Sequence, residues 1–214
     1  MMKNFISIVI VDDHKIFRTG LKVILNGISS FKVIGSYPDG KSLIQGLSVE
    51  VPNVIFMDIK LPDENGIALT QQVKKNYPLV KVIALTMFGD IEYFNEMFDA
   101  GAEGFLLKST DSGELEKAVK DVVAGGTYFA KEFVGYLSLK PKNNKEHPID
   151  INLSDRELEV LKLVCEGYSN IEIAEKLFIS THTVDGHRRN LISKTGVKNA
   201  PNLVLFALKN GIIE

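Results

Sequence analysis

The run Asn53 Val54 Ile55 Phe56 Met57 reaches Asp58 with no polar alternation, and Pro62 follows shortly after. An apolar run of that length, closed by a proline, reads as a strand buried on both faces. Such a strand requires a parallel sheet with helices on either side. The carboxylate at its end needs a reason. A loop aspartate capping the next helix is one reading, and an acid with chemistry to perform is the other.

The rest of the first half repeats the pattern. Phe5 to Val11 is strand-like and stops at Asp12 Asp13, after which Phe17, Leu21, Ile24 and Leu25 fall on one helix face, ending near Asn26 Gly27. Lys32 Val33 Ile34 Gly35 is a short strand closed by the turn Pro38 Asp39 Gly40, and Leu43, Ile44 and Leu47 mark a weaker helix. After Asp58, a helix carries Leu69 and Val73 and stops at Tyr77 Pro78. Val80 to Leu85 ends in Thr86; Ile91, Phe94, Met97 and Phe98 mark the following helix. Gly104 Phe105 Leu106 Leu107 ends in Lys108, and a last helix bears Leu115, Val119, Val122 and Val123 before Gly125 Gly126.

Five strands alternating with five helices predict a doubly wound α/β fold around a five-stranded parallel sheet. In the strand order 2-1-3-4-5, ligands sit beyond the carboxyl ends of strands one and three, so Asp12 and Asp13 are expected beside Asp58. Carboxylates so close repel unless a cation joins them. No His or Cys is read as accompanying the acids, so the expected ion is Mg²⁺ rather than zinc. Thr86 and Lys108 end the next two strands and should share that edge. A hydroxyl and an ammonium beside a carboxylate and a divalent cation suit a phosphoryl group.

Asp12 Asp13, Asp58, Thr86 and Lys108, with Leu61 Pro62 and Asn65 Gly66 after the acid, resemble the receiver domain of two-component response regulators. The resemblance implies that Asp58 is the phosphoacceptor, taking its phosphoryl group from a partner histidine kinase or a small phosphodonor. It implies Mg²⁺ held by Asp13 directly, by Asp12 mostly through water, by Asp58 and by the backbone carbonyl of Lys60. Lys108 would pair with the phosphoryl oxygens, Thr86 would move to bond another, and Phe105 would be the switch aromatic that buries when it does. Leu61 stands where Met is more usual, and Met87 where a small residue is common. Lys60 and Phe88 form a bulky, cationic rim, from which a long-lived acyl phosphate is expected.

Ser138 to Pro148 is polar, contains two prolines and reads as a tether. From Leu153 the texture changes to short, strongly punctuated helices. Ser154 with Glu157 and Ser169 with Glu172 are capping boxes, Ser180 caps a third helix, and a fourth follows Asn199 Ala200 Pro201. Two capped helices joined by a few residues, the second more basic, mark a helix-turn-helix. His182, Asp185, Gly186, Arg189 and Ser193 share the face opposite Val184, His187, Leu191 and Ile192. Arg188, Arg189, Lys194 and Lys198 against Asp185 give the stretch from Thr181 to Lys198 a local formal charge of about +3. Gly186 inside a helix costs about 1 kcal/mol relative to Ala, tolerable where backbone must approach DNA closely.

Leu153 to Leu161, Ser169 to Ala174 and Ser180 to His187 resemble the LuxR-type DNA-binding domain, and the whole chain is similar to the NarL/FixJ class of response regulators. That implies a third helix in the major groove of double-stranded DNA and a homodimer formed through the fourth. Asp185, Gly186 and Arg189 are assigned to base edges, Arg188 and Lys194 to phosphates, and His187 to core support. The expected domains are a receiver over 1–126, a linker over 127–149 and the DNA-binding domain over 150–214.

The other readings are weaker. The chain has 214 residues and a formal net charge of -2, so no basic or acidic surplus dictates its partners. The first apolar run is too short for a signal-peptide core and no other approaches membrane-spanning length, so no membrane association and a cytoplasmic location are expected. Cys165 lies among Leu161, Leu163 and Val164 and reads as a core residue, not a nucleophile. An aspartate-nucleophile phosphohydrolase would want a second acid after Asp58, but residue 60 is Lys, so no enzyme is expected. A receiver that binds DNA without phosphorylation is the remaining alternative, opposed by the intact set of five site residues.

Overall fold

The computed structural model describes residues 5–62, 64–87, 93–129, 153–197, 199–210 and 212. Two compact units divide the chain, Met1–Val123 and Ala124–Glu214. The tether beyond residue 129, together with Phe88, Ile91 and Lys198, lies outside the described residues.

In the first unit the order is β1 (Ile6–Val11), α1 (Lys15–Gly27), β2 (Phe31–Tyr37), α2 (Gly40–Leu47), β3 (Val54–Asp58), α3 (Gly66–Asn76), β4 (Lys81–Thr86), α4 (Phe94–Asp99), β5 (Gly104–Leu107) and α5 (Ser112–Val123). The short strand β6 (Tyr128–Phe129) follows α5, and the sheet order is β2-β1-β3-β4-β5-β6. The sixth strand is an addition to the five that the sequence predicts, and it falls where a linker is expected. Two residues are too few to show a strand period, so nothing in the chain announces it.

Every residue of β3 is buried, as expected for a strand covered on both faces. Its entry is pinned to β1 by Ser7 and Asn53: the Ser7 amide donates to Asn53 Oδ1 at 2.8 Å, and the Asn53 amide to Ser7 Oγ at 3.0 Å. Register then carries the strand ends into one place. Val11 lies opposite Met57, Asp58 opposite Leu85, and Thr86 opposite Leu107. The residues just beyond these pairs therefore meet at the carboxyl edge. Behind that edge Phe94, Phe98 and Phe105 pack together, with ring centroids 4.4 Å apart for Phe94 and Phe98 and 4.9 Å for Phe94 and Phe105.

The second unit holds α6 (Asp155–Cys165), α7 (Asn170–Leu177), α8 (Thr181–Thr195) and α9 (Ala200–Lys209). Complete capping boxes start α6 and α7, and Ser180 accepts from the Thr183 amide to start α8. Val160, Leu161, Val164, Ile173, Val184, Leu191, Leu203 and Ala207 form the shared core. Phe178 makes the turn from α7 to α8 in the left-handed region at φ 55°, and its ring is exposed. Gly196, at φ 69°, ends α8.

Candidate functional sites

Asp58 ends β3 and Asp12 and Asp13 follow β1, so parallel pairing of the two strands brings the three acids together. Asp12 and Asp58 are buried, whereas the Asp13 side chain is about one-third exposed. Lys108, just past β5, lies between the buried pair: its Nζ is 2.6 Å from Asp12 Oδ2 and 2.7 Å from Asp58 Oδ2. The remaining oxygens are also directed. Asp12 Oδ1 accepts from the His14 amide at 2.7 Å, and Asp58 Oδ1 from the Lys60 amide at 3.3 Å. The Arg18 guanidinium donates to the Asp12 carbonyl, and the Phe17 ring lies 5.1 Å from the Lys108 ammonium.

These contacts decide the local electrostatics. Burial pushes the Asp58 carboxyl above its ordinary range, against the opposing pull of Lys108. Burial would lower Lys108, but its bonds to Asp12 and Asp58 outweigh that and hold the ammonium above its usual value. The resulting pair is a basic, poorly hydrated carboxylate beside a firmly charged lysine. Such a carboxylate is a better nucleophile than a solvated one.

Thr86 is fully buried and its hydroxyl donates to the Met87 carbonyl at 3.3 Å. Phe105 is fully buried among Phe94 and Phe98. Lys60 is exposed on the rim with its Nζ 5.6 Å from the Tyr93 ring, and Met87 is also exposed. The Asn65 Gly66 pair closes the loop after β3, where the Gly66 amide donates to the Ile59 carbonyl at 3.0 Å. A Cβ at Gly66 would stand 2.0 Å from the Asp58 carbonyl oxygen, so only glycine allows this approach.

One expectation needs correction. A histidine does accompany the acids: His14 Nδ1 is 2.7 Å from Asp13 Oδ1 and 3.3 Å from Asp12 Oδ1. One ligand atom each from Asp12, Asp13, His14 and Asp58 lie within 4.8 Å of one another, close enough to hold a metal ion. The signal was the adjacency of His14 to the acid pair in the chain. Sequence reasoning also misses Arg18 and Phe17, which one turn of α1 brings back over the site.

On α8 the residues fall into two groups. His182, Asp185, Arg189 and Ser193 are exposed, and Gly186 is half-buried with open space where a Cβ would stand. Lys194 is exposed yet paired with the buried Glu157 at 2.7 Å. His187 is half-buried. Arg188 differs from its expected role as a phosphate contact. It lies on the buried stripe with Val184 and Leu191, is 5% exposed, and donates through Nη1 to the Gly125 carbonyl and to Asn170 Oδ1. Helical spacing explains this, since position 188 is four residues after Val184 and three before Leu191.

The family described as response regulator receiver domain matches residues 8–120, and that described as bacterial regulatory proteins, luxR family, matches residues 151–207. The oxygen regulatory protein NreC of Staphylococcus epidermidis is 37% identical over 97% of this chain and 99% of its own length. NreC of Staphylococcus aureus MRSA252 is 38% identical with the same coverage. Among solved structures, RcsB of Salmonella typhimurium has a TM-score of 0.59 at 29% identity, covering 95% of this chain and 98% of that one. An RcsB–DNA complex has a TM-score of 0.57 at 30% identity, covering 96% and 99%. Joined to the strand-end acids and the capped helix-turn-helix described above, these matches show that the chain belongs to the DNA-binding response regulators of two-component systems, a receiver domain followed by a LuxR-family regulatory domain.

Proposed function

We propose that Asp58 accepts a phosphoryl group from a partner histidine kinase and that this modification controls domain packing, dimerisation and binding of the α8 helix to promoter DNA. The observation that carries the reading is Lys108, which joins the carboxylates of Asp12 and Asp58 at 2.6 and 2.7 Å. An Asp58 oxygen attacks phosphorus, the bond from phosphorus to the donor imidazole breaks, and the imidazole leaves with that electron pair. Lys108 exchanges one carboxylate for a phosphoryl oxygen, and Thr86 turns its hydroxyl toward another. Phe105, at the end of the aromatic cluster, is the neighbour that adjusts.

The donor set fits a hard divalent ion. Asp12, Asp13, Asp58 and the Lys60 carbonyl supply oxygen, and His14 is better placed to orient Asp13 by hydrogen bonding than to change the ion preferred. When bound, Mg²⁺ balances charge on the transferring group. The exposed Lys60 on the rim supports the expectation of a long-lived acyl phosphate.

On the DNA side, His182, Asp185, Gly186, Arg189 and Ser193 face the major groove, with Arg189 reading guanine and Asp185 reading cytosine N4; Lys194 reaches a phosphate. Arg188 is withdrawn from the phosphate contacts because it is buried. RcsB has been solved as two dimers bound to two parallel DNAs, which supports a homodimeric DNA-bound form here. The regulatory, DNA-binding family of the second unit supports a cytoplasmic location. No helix of the described residues is long and apolar enough to cross a membrane.

The test is phosphorylation with acetyl phosphate and Mg²⁺, followed by a mobility shift on a random-sequence duplex library. Wild type should gain a phosphate that base and hydroxylamine remove and should bind more tightly, and Asp58→Asn should do neither. Equal binding by Asp58→Asn with or without the donor, matching phosphorylated wild type, would favour constitutive DNA binding instead.

A further inference from the structure

We infer that Asn170, oriented by Arg188, is a positioning residue that fixes the Asp185 carboxylate for reading one base pair. The inference rests on the proposed entry of α8 into the major groove and adds to it a specificity-determining contact from outside that helix.

Asp185 is exposed on α8, where an aspartate would ordinarily sample several rotamers. It is held instead by Asn170, the first residue of α7, whose Nδ2 donates to Asp185 Oδ1 at 2.6 Å. That bond occupies one oxygen and leaves the second to accept from a base. Asn170 is itself buried, and its Oδ1 accepts from Arg188 Nη1 at 2.5 Å.

The two neighbours determine which way the amide points. Arg188 has only donors, so it must meet the amide oxygen; ionised Asp185 has only acceptors, so it must meet the amide nitrogen. No flipped arrangement satisfies both. Arg188 cannot serve solvent from the core stripe of α8, and its Nε and Nη2 have no hydrogen-bond partner among the described residues. Its one engaged nitrogen spans Asn170 and the Gly125 carbonyl. A buried charge with so few bonds is a poor source of stability, and orienting an amide is a role that accounts for it. Gly125 closes the other side. It adopts φ +85°, and a Cβ there would lie 2.7 Å from Asn170 Nδ2.

The experiment uses the full chain phosphorylated with acetyl phosphate, selection from a random-sequence duplex library, and sequencing of the bound fraction. Asp185→Ala identifies the base pair that Asp185 reads. At that base pair, Asn170→Ala and Gly125→Ala should each lower the preference roughly fivefold or more, the size of a weak base contact. Binding to a single random duplex should stay within about twofold, because phosphate contacts set it. Gly125→Ala displaces the amide without removing any group in contact with DNA, and it keeps the test decisive if Asn170→Ala fails to fold. A purely structural network would weaken all duplexes together and leave the ratio unchanged. An intact preference in folded Asn170→Ala or Gly125→Ala protein overturns the inference while leaving the base-reading role of Asp185 in place. If Asp185→Ala alters no base preference, that role fails and the inference falls with it, although phosphorylation-dependent binding would stand.

Discussion

Arg188 and Lys194 are the two basic residues of α8 that sequence assigns to phosphates, and the structure separates them sharply. The Lys194 side chain is 41% exposed, whereas Arg188 is 5% exposed with a carbonyl and an amide oxygen as its partners. Each phosphate contact contributes about 0.9 to the slope of log affinity against log salt, so losing one weakens the salt response by about twofold over a doubling of salt, per protomer. Lys194→Ala should remove that increment, and Arg188→Met should remove none. Their effects on folding differ in kind as well. Burial pushes the Arg188 guanidinium down to about 10, equivalent to about 3 kcal/mol against its charged form. Its two charge-assisted hydrogen bonds offset about 1.5–3 kcal/mol each. Arg188→Met should therefore change stability by no more than about 3 kcal/mol, with the apolar stem filling the same slot. The assay is fluorescence anisotropy on a random 30-base-pair duplex between roughly 50 and 200 mM salt, the range over which phosphate contacts dominate. A slope reduced by about 0.9 per protomer in Arg188→Met would refute the argument, since only a guanidinium that reaches DNA could produce it.

Glu157 is held below the usual carboxylate range by Lys194 and by the Ser154 amide of its capping box. Its stabilisation is present above the ordinary glutamate pKa and lost as pH falls through the lowered value, so the roughly 1 kcal/mol deficit of Glu157→Gln at pH 7 should vanish in denaturant titrations under strongly acid conditions. Burial pushes the Cys165 thiol up to about 12, so thiolate at pH 8 is about one part in ten thousand. Native protein should react with iodoacetamide orders of magnitude more slowly than urea-unfolded protein; equal rates would show the thiol to be accessible. Gly66→Ala must move the Asp58 carbonyl, which a Cβ would approach to 2.0 Å, so it should cost about 1–3 kcal/mol and slow phosphorylation by acetyl phosphate. Normal stability and normal labelling of Gly66→Ala would contradict that close approach.

The receiver half was legible because strand ends are punctuated in the chain. Asp58, Thr86 and Lys108 each follow an apolar run, and parallel register carries all three to the carboxyl edge of the sheet, where Lys108 meets Asp58 while the Thr86 hydroxyl bonds the Met87 carbonyl. His14 was harder to read because whether an imidazole turns toward or away from neighbouring acids depends on the loop after β1, not on spacing. The α8 helix shows a different limit. Charge in a sequence suggests exposure, and the spacing places His187 on the core side, but the buried stripe runs through Val184, Arg188 and Leu191. A long polar side chain can occupy a core position when acceptors wait there, and the Gly125 carbonyl lies more than sixty residues away in the chain. Asn170 was invisible for the same reason: its partners are on another helix.

Where Lys108 joins Asp12 and Asp58 with Asp13 beside them, a single ammonium answers three carboxylates. Even with the Arg18 guanidinium held over the site on the Asp12 carbonyl, the carboxylates outnumber the fixed cations. The resting notch is thus left underneutralised by the convergence of its strands, and it should draw cations from solution before any donor arrives. Adding a group that brings about two further negative charges deepens the imbalance, so loading with metal and loading with phosphate must reinforce each other.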